Sequence, residues 1–347
     1  MTELEMVYYE RLSTQDEYLG ETKIINEISP LVSVVTTTYQ QAPYIRKCLD
    51  SLLNQVTDFV YEILIGEDGS SDGTREICIE YARKHPDKIR LFLRNRELTH
   101  YTSPSGKIYR LNGLFLRDKV RGKYTAFCEG DDYWYDKNKI SKQVDFLKTN
   151  SEYNLIYTNY YIAKNELMFN RSIIGSLSDR FIHLNKNNFT KKLVHKNHIM
   201  LLTVLVKSND LKNVDKKLIA SSNEIPLIDY SIFIELSQMG KFKYLRKKMA
   251  VYRILDESLS HSKDLVNRFK FIESTISISK YYNKKYNYNI NNRYFKSIQL
   301  SAMLKEYASS KVYTEYFKLI IKSFKEDGLL VLTPKNIFFL MKSLIEK

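Results

Sequence analysis

Three short apolar runs, each ending abruptly in a polar loop, limit what this chain can fold into more than any other feature. Leu31-Val-Ser-Val-Val-Thr-Thr-Thr-Tyr39 follows Pro30, Tyr61-Glu-Ile-Leu-Ile-Gly66 leads into Glu67-Asp-Gly-Ser70, and Thr125-Ala-Phe-Cys128 runs into Glu129-Gly-Asp-Asp132. Short β-branched runs bounded by Pro and Gly read as buried strands. Between the first two, Pro43 suits a first helical turn, and Ile45, Cys48, Leu49, Leu52 and Leu53 recur at helical spacing. After the second, Ile77, Ile79, Tyr81 and Ala82 mark another helix, and Ile89-Arg-Leu-Phe-Leu93 a further strand. This alternation predicts an α/β fold with a parallel sheet and crossover helices, in which ligands bind at the carboxyl ends of the strands. The polar ends Thr37 to Tyr39, Glu67 to Ser70 and Glu129 to Asp132 all fall there. Carboxylates at the end of a core strand are costly unless a positive group meets them, and a hard cation carrying a phosphate meets that need. An acidic turn capping a helix is the plain alternative.

The rest of the chain is less regular. Residues 94 to 110 read as a polar connection, Leu111 to Val120 and Asn138 to Leu147 as helices, and Leu155 to Ile162 and His198 to Val206 as strands. Ile228 to Met239 is an amphipathic helix stopped by Gly240, and Phe242 to Leu245 and Ala250 to Ile254 are two closing strands. At 347 residues and 44% hydrophobic content a large core is available, which excludes global disorder. The net charge of +14 points to an anionic partner. Eight of those fourteen excess charges lie in the helical, Lys- and Tyr-rich stretch 264 to 347. The three cysteines, Cys48, Cys78 and Cys128, form neither a disulfide framework nor a CxxC metal pattern, which points to a reduced compartment. With no basic-then-apolar leader and no apolar run of about 18 residues, the expectation is a cytoplasmic protein that touches a membrane at most from its inner face.

Together, Val32-Ser-Val-Val-Thr-Thr-Thr-Tyr39 with Tyr44-Ile45, Ile63-Leu-Ile-Gly-Glu-Asp-Gly-Ser-Ser-Asp-Gly-Thr74 and Cys128-Glu-Gly-Asp-Asp-Tyr-Trp134 resemble the family 2 glycosyltransferases of the inverting GT-A type, many of which build bacterial surface polysaccharides. The resemblance covers roughly residues 30 to 260. It implies a Rossmann-like nucleotide-binding domain with a mixed central sheet, a nucleotide-diphosphate sugar donor, most simply a UDP-sugar, and a divalent cation, Mn²⁺ or Mg²⁺. Thr37 and Tyr39 then flank the nucleotide base, and Asp68 accepts a hydrogen bond from it; a turn residue capping the next helix is the plain alternative. Arg110 and Asn112 fall where the family places base- or phosphate-facing groups. Asp132 is implied as the metal ligand and Asp131 as its neighbour at the ribose or the metal. Glu129 stands where many members carry the first Asp of a D-x-D pattern. Many members also carry a His after the strand matched by Val251-Tyr-Arg-Ile254. Leu255 stands in its place, so His261 is the candidate imidazole for the metal.

An inverting transfer needs a carboxylate to take the acceptor's proton. Asp229, at the start of the helix that ends at Gly240, and Glu224, in Glu224-Ile-Pro-Leu227, both qualify, with Asp229 at the family's spacing. Trp134 and Tyr135 are either a substrate platform or packing beneath the site. The expected division is a leader (1–29), a nucleotide-sugar-binding half (30–150), an acceptor-binding half (151–263) and a helical basic C-terminal region (264–347). The acceptor is expected to be a carbohydrate or a lipid-linked glycan, with an anionic membrane surface under the basic region and no nucleic acid. A basic nucleic-acid-binding protein and a non-catalytic sugar-binding protein on the same fold are the competing classes; the scattered Lys and Arg speak against the first.

Overall fold

Each apolar run forms a strand at the place its pattern predicts. The first three are β1 (Val32–Thr38), β2 (Tyr61–Glu67) and β3 (Ile89–Leu93). A hairpin of β4 (His100–Thr102) and β5 (Ile108–Arg110) follows, then β6 (Tyr124–Phe127) and β7 (Tyr133–Trp134). The long β8 (Tyr153–Lys164), β9 (Leu167–Phe169), β10 (Leu205–Lys207) and β11 (Lys241–Arg253) complete the set. The computed structural model describes residues 1–14, 16–20, 29–104, 106–164, 167–169, 186–222, 229–255, 264–310 and 312–327. The chain divides into two units, residues 1–193 with 197–253, and residues 194–196 with 254–347.

The first unit is built on a mixed sheet in the order β3-β2-β1-β6-β10-β8-β11-β7, with β9 on β8. β3, β2, β1 and β6 are parallel, as the alternation predicts. β10 then runs antiparallel to both β6 and β8, which makes the sheet mixed. The parallel strands are buried on both faces, as such strands must be. The helix Ala42–Leu53 supplies Ile45, Cys48, Leu49 and Leu52 to the core, and Thr74–Lys84 supplies Cys78, Tyr81 and Ala82. The N-terminal helix Glu3–Leu12 opens with a capping box of Thr2 and Glu5 and packs Leu4 and Tyr8 against Tyr109, Leu111, Phe115 and Ile219.

Three sequence readings change. His198 to Val206 is a 3₁₀ turn (Leu201–Thr203) followed by the short β10, because the Thr203 hydroxyl and N–H both bond the Met200 carbonyl (2.6 and 3.0 Å). The two closing strands are one, β11, whose pairing with β8 is irregular around Leu245 to Ala250, where Arg246, Lys247 and Lys248 interrupt the apolar pattern. The polar connection 94 to 110 holds a one-turn helix (Arg96–Thr99) and the β4–β5 hairpin. A helix at Ser208–Ala220, absent from the sequence reading, buries Leu211, Val214, Leu218 and Ile219.

The second unit is helical: Leu265–Lys285, Asn292–Ser309 and Tyr313–Asp327. Asp264 and Asn291 cap the first two helices, Asn283 bonds both backbone groups of Ile290 across the turn, and Arg268 pairs with Glu306 at 2.9 Å. Among the described residues no helix is long and apolar enough to cross a membrane.

At the amino end of the parallel strands, buried Glu62 accepts bonds from Ser33 Oγ (2.6 Å), Arg121 (2.6 Å) and Arg90 (3.3 Å). The chain passes so close here that a Cβ on Gly122 would lie 2.6 Å from the Ser33 nitrogen and 2.7 Å from the Val32 carbonyl carbon. Backbone cannot yield as a side-chain tip can, so Gly122→Ala is expected to lower stability by about 1–3 kcal/mol, read as a lower urea midpoint with an unchanged slope.

Candidate active site

Register brings the three polar strand ends together. Thr38 pairs with Glu67 and Val35 with Phe127, so the chain after β2 and after β6 emerges on either side of the end of β1. Two further bonds extend this: Gly130 N–H to the Thr37 carbonyl (2.9 Å) and Asp68 N–H to the Thr38 carbonyl (3.0 Å).

On the β2 side, Asp68 is buried and does not cap the helix after it. That task falls to Asp72, which accepts from the Thr74 N–H (3.0 Å) and hydroxyl (2.6 Å). The Asp68 carboxylate instead faces residues 96 to 100. Thr99 Oγ1 donates to Oδ1 at 2.5 Å, Arg96 Nη1 donates to Oδ2 at 2.9 Å, and His100 Nδ1 stands 3.9 Å off. Burial raises the Asp68 pKa, opposed by Thr99 and Arg96. Tyr39 is partly exposed, and the Arg96 guanidinium carbon lies 3.4 Å from its ring centroid. Arg110 is exposed on β5, attracted by Asp68 and repelled by Arg96. Asn112 is buried and its amide nitrogen donates to the Gly66 carbonyl at 2.9 Å, which joins its helix to β2.

On the β6 side, ligand oxygens of Glu129, Asp131 and Asp132 all lie within 4.8 Å of one another. Asp132 is almost wholly buried, Asp131 partly, and Glu129 is exposed. Arg253, at the end of β11, holds the loop: its backbone N–H donates to Asp132 Oδ1 (2.8 Å) and its Nη1 to the Asp131 carbonyl (2.5 Å). The guanidinium sits over the rings of Tyr133 (4.7 Å) and Tyr44 (5.2 Å). Burial, then the other acids, pushes Asp132 well up. Burial also raises Asp131, against the attraction of Arg253. Although Glu129 reaches solvent, the protein crowded around its carboxyl, then Asp131 and Asp229, push it up to about 8. Three carboxylates this close, each made harder to ionise by burial, offer the hard oxygen ligands that a divalent cation takes.

Asp229 is the first residue of the helix Asp229–Met239 and is half-buried. Burial raises its pKa, Arg117 lowers it, and Asp215 raises it. Arg117 is fixed by a two-bond pair with Asp215 (2.8 and 2.9 Å). The influence of Asp229 on Glu129 puts it within electrostatic reach of the acidic cluster. Trp134 is buried and donates its indole N–H to the Leu202 carbonyl (3.1 Å), a packing role, whereas Tyr135 is exposed. Glu224 and His261 lie outside the described residues.

Sequence reasoning did not single out Arg96, Arg117 or Arg253. Only Arg253 left a signal, as a charged residue closing an otherwise apolar strand end.

Residues 33–203 match the family model "Glycosyl transferase family 2". Among curated proteins, the chain is 28% identical over 249 residues to an uncharacterised protein of Mycobacterium tuberculosis, covering 70% of this chain and 64% of that one, so it spans less than two thirds of that relative's length. A Bacillus subtilis protein named for teichuronic acid biosynthesis as a glycosyltransferase, TuaG, is 26% identical over 235 residues, covering 67% of this chain and 83% of its own. Chondroitin synthase of Pasteurella multocida is 26% identical over 263 residues, 75% of this chain and 24% of its own. Among solved structures, Staphylococcus aureus TarS 1–349 with UDP-GlcNAc aligns at a TM-score of 0.48 and 15% identity, over 90% of this chain and 80% of that one. The mannosyltransferase PcManGT of Pyrobaculum calidifontis, with GDP-Man and Mn²⁺, aligns at 0.48 and 14%, over 99% and 94%. Likenesses this distant transfer neither residues nor ligands. The segment 33–203, which holds β1, β2, β6 and the acidic loop, is thus a glycosyl transferase family 2 segment.

Proposed function

We propose that this glycosyltransferase moves a sugar from a nucleotide-diphosphate sugar, a UDP-sugar, to a hydroxyl of a carbohydrate or lipid-linked glycan, with inversion at the anomeric carbon. The observation that carries the reading is the clustering of Glu129, Asp131 and Asp132 within 4.8 Å at the carboxyl end of the parallel strands. Asp132 and Asp131 would hold a divalent cation, Mn²⁺ or Mg²⁺, with Glu129 beside them. Once bound, that ion neutralises the charge that develops on the leaving diphosphate.

Asp68 and Tyr39 take the base, with Thr37 at the first strand end. Uracil offers an N3–H to a carboxylate where cytosine offers only an acceptor. Arg110 and Asn112 belong to the same side of the site. Asp229 accepts the proton of the acceptor hydroxyl as its oxygen attacks the anomeric carbon; the bond to the diphosphate oxygen breaks on the opposite face, and the nucleoside diphosphate leaves. Burial and Asp215 raise the Asp229 pKa against the pull of Arg117, which favours a carboxylate that takes up a proton. We assign residues 30–150 to the donor, 151–263 to the acceptor, and His261 to the metal's surroundings. The reaction belongs to cell-surface polysaccharide assembly at the inner face of the membrane, with the basic helical region on anionic lipid.

Asp132→Ala and Asp229→Ala are each expected to abolish transfer from a UDP-sugar panel, and only the first to weaken Mn²⁺-dependent UDP binding, by about tenfold or more. A fully active Asp229→Asn would sink the assignment of the base.

The acidic cluster also fixes a pH dependence. With Glu129 raised from 4.5 to about 8, the folded protein keeps a proton that the unfolded chain has released. Stability of the metal-free protein should therefore fall as pH climbs through that window and level off above it. Thermal melts in EDTA should show this decline, Glu129→Gln should make it shallower and saturating Mn²⁺ should flatten it; a melting temperature flat from pH 5 to 8 would remove the cluster's claim to unmet charge.

The membrane reading is checked by co-sedimentation with phosphatidylglycerol vesicles, where the full chain should bind and residues 1–263 should not. Equal binding by both ends the idea.

A further inference from the structure

The base side of the site is already filled by a side chain. Arg96 puts its guanidinium carbon 3.4 Å from the centre of the Tyr39 ring, the contact distance that a planar base stacked on that ring would take. The same guanidinium donates to Asp68 Oδ2 at 2.9 Å, the acceptor a base N–H would use, while Thr99 occupies Oδ1. We infer that Arg96 holds the nucleobase slot of the empty protein and that a nucleoside diphosphate must displace it to bind. The inference rests on the assignment of Asp68 and Tyr39 to the base.

Asp68 is 6% exposed, and a buried carboxylate without a partner is strongly disfavoured. Arg96 removes that penalty before any nucleotide arrives, and covers one face of Tyr39. The exchange is nearly matched in kind: a base brings one N–H for Asp68 and one flat face for Tyr39. Asp68 also keeps positive surroundings when Arg96 leaves, since both the buried Arg94 and Arg110 feel its charge. Arg96 can move because its side chain is 39% exposed. Its root is held in the one-turn helix Arg96–Thr99, which the Asn95 side chain caps at the Glu97 N–H (2.9 Å). The swing is thus confined to the side chain, and nucleotide affinity is the intrinsic affinity reduced by the fraction of molecules in which the slot is closed.

The test is calorimetry of the full chain with UDP, GDP and CDP in Mn²⁺, on the wild type, Asp68→Asn, Arg96→Ala and Arg96→Gln. Arg96→Ala should tighten UDP by about tenfold, the combined worth of an exposed cation–π contact and an ion pair, and Arg96→Gln by less. In stopped-flow mixing, the wild-type association rate should level off with UDP concentration and that of Arg96→Ala should stay linear. UDP affinity that is unchanged or weaker in Arg96→Ala overturns the inference. Asp68→Asn separates the two ideas: loss of UDP binding there upholds the base assignment whatever Arg96 does, and unaltered UDP binding there overturns both.

Discussion

Carboxylates gathered at one point repel one another, and the loop after β6 gathers Glu129, Asp131 and Asp132. Among the described residues, what holds them is not a counter-ion of matching charge. Arg253 spends its backbone N–H on Asp132 and its guanidinium on the Asp131 carbonyl, so it fixes the loop's path more than it neutralises the acids. The rings of Tyr44 and Tyr133, 5.2 and 4.7 Å from the guanidinium, hold Arg253 in turn. Among the described residues the cluster is therefore preorganised and short of positive charge, the condition in which a site draws a divalent cation from solution.

The opposite end of the same strands shows what a completed charge balance looks like. Glu62 is as buried as Asp132, yet Arg90, Arg121 and Ser33 converge on its carboxylate. Arg117 and Asp215 form a second closed pair. Glu62 and Asp215, with arginines on the carboxylate itself, hold elements together, and removing one partner would leave an uncompensated charge. Asp132, which accepts instead from the Arg253 backbone N–H, lies at the strand end where the family's chemistry is expected.

Much of this was legible in the sequence. Strand placement followed from β-branched runs such as Val32 to Thr38, and the shared edge of Thr37, Asp68 and Asp132 followed from the alternation of elements, because parallel strands joined by crossover helices must end on one side. Elements whose pattern is ambiguous were not legible. Ile199 to Val206 is apolar but for Thr203, and such a run carries no period to distinguish turn from strand. The helix Ser208–Ala220 was legible in principle, since Leu211, Val214 and Leu218 recur at helical spacing. The arginines that finish the site were hidden for a different reason. Arg96 and Arg117 reach Asp68 and Asp215 across 28 and 98 residues of chain, and one surface-compatible residue type says nothing about which distant acid it meets.

The two sides of the site are opposite in charge, and this ties the parts of the proposed reaction together. Around Asp68 the protein supplies an excess of cations of its own, Arg94, Arg96 and Arg110. Around Asp132 the nearest carboxylates are more acids. A nucleoside diphosphate laid across the end of β1 would place its neutral base where cations must move aside and its anionic phosphates beside the acids, where a cation from solution would receive them. Either end alone is a poor match; base, diphosphate and metal together satisfy both. Metal and nucleotide should therefore each raise the other's affinity by the same factor, since coupling between two sites is reciprocal. Such a site discriminates against free metal and against the bare nucleotide with the same set of buried charges.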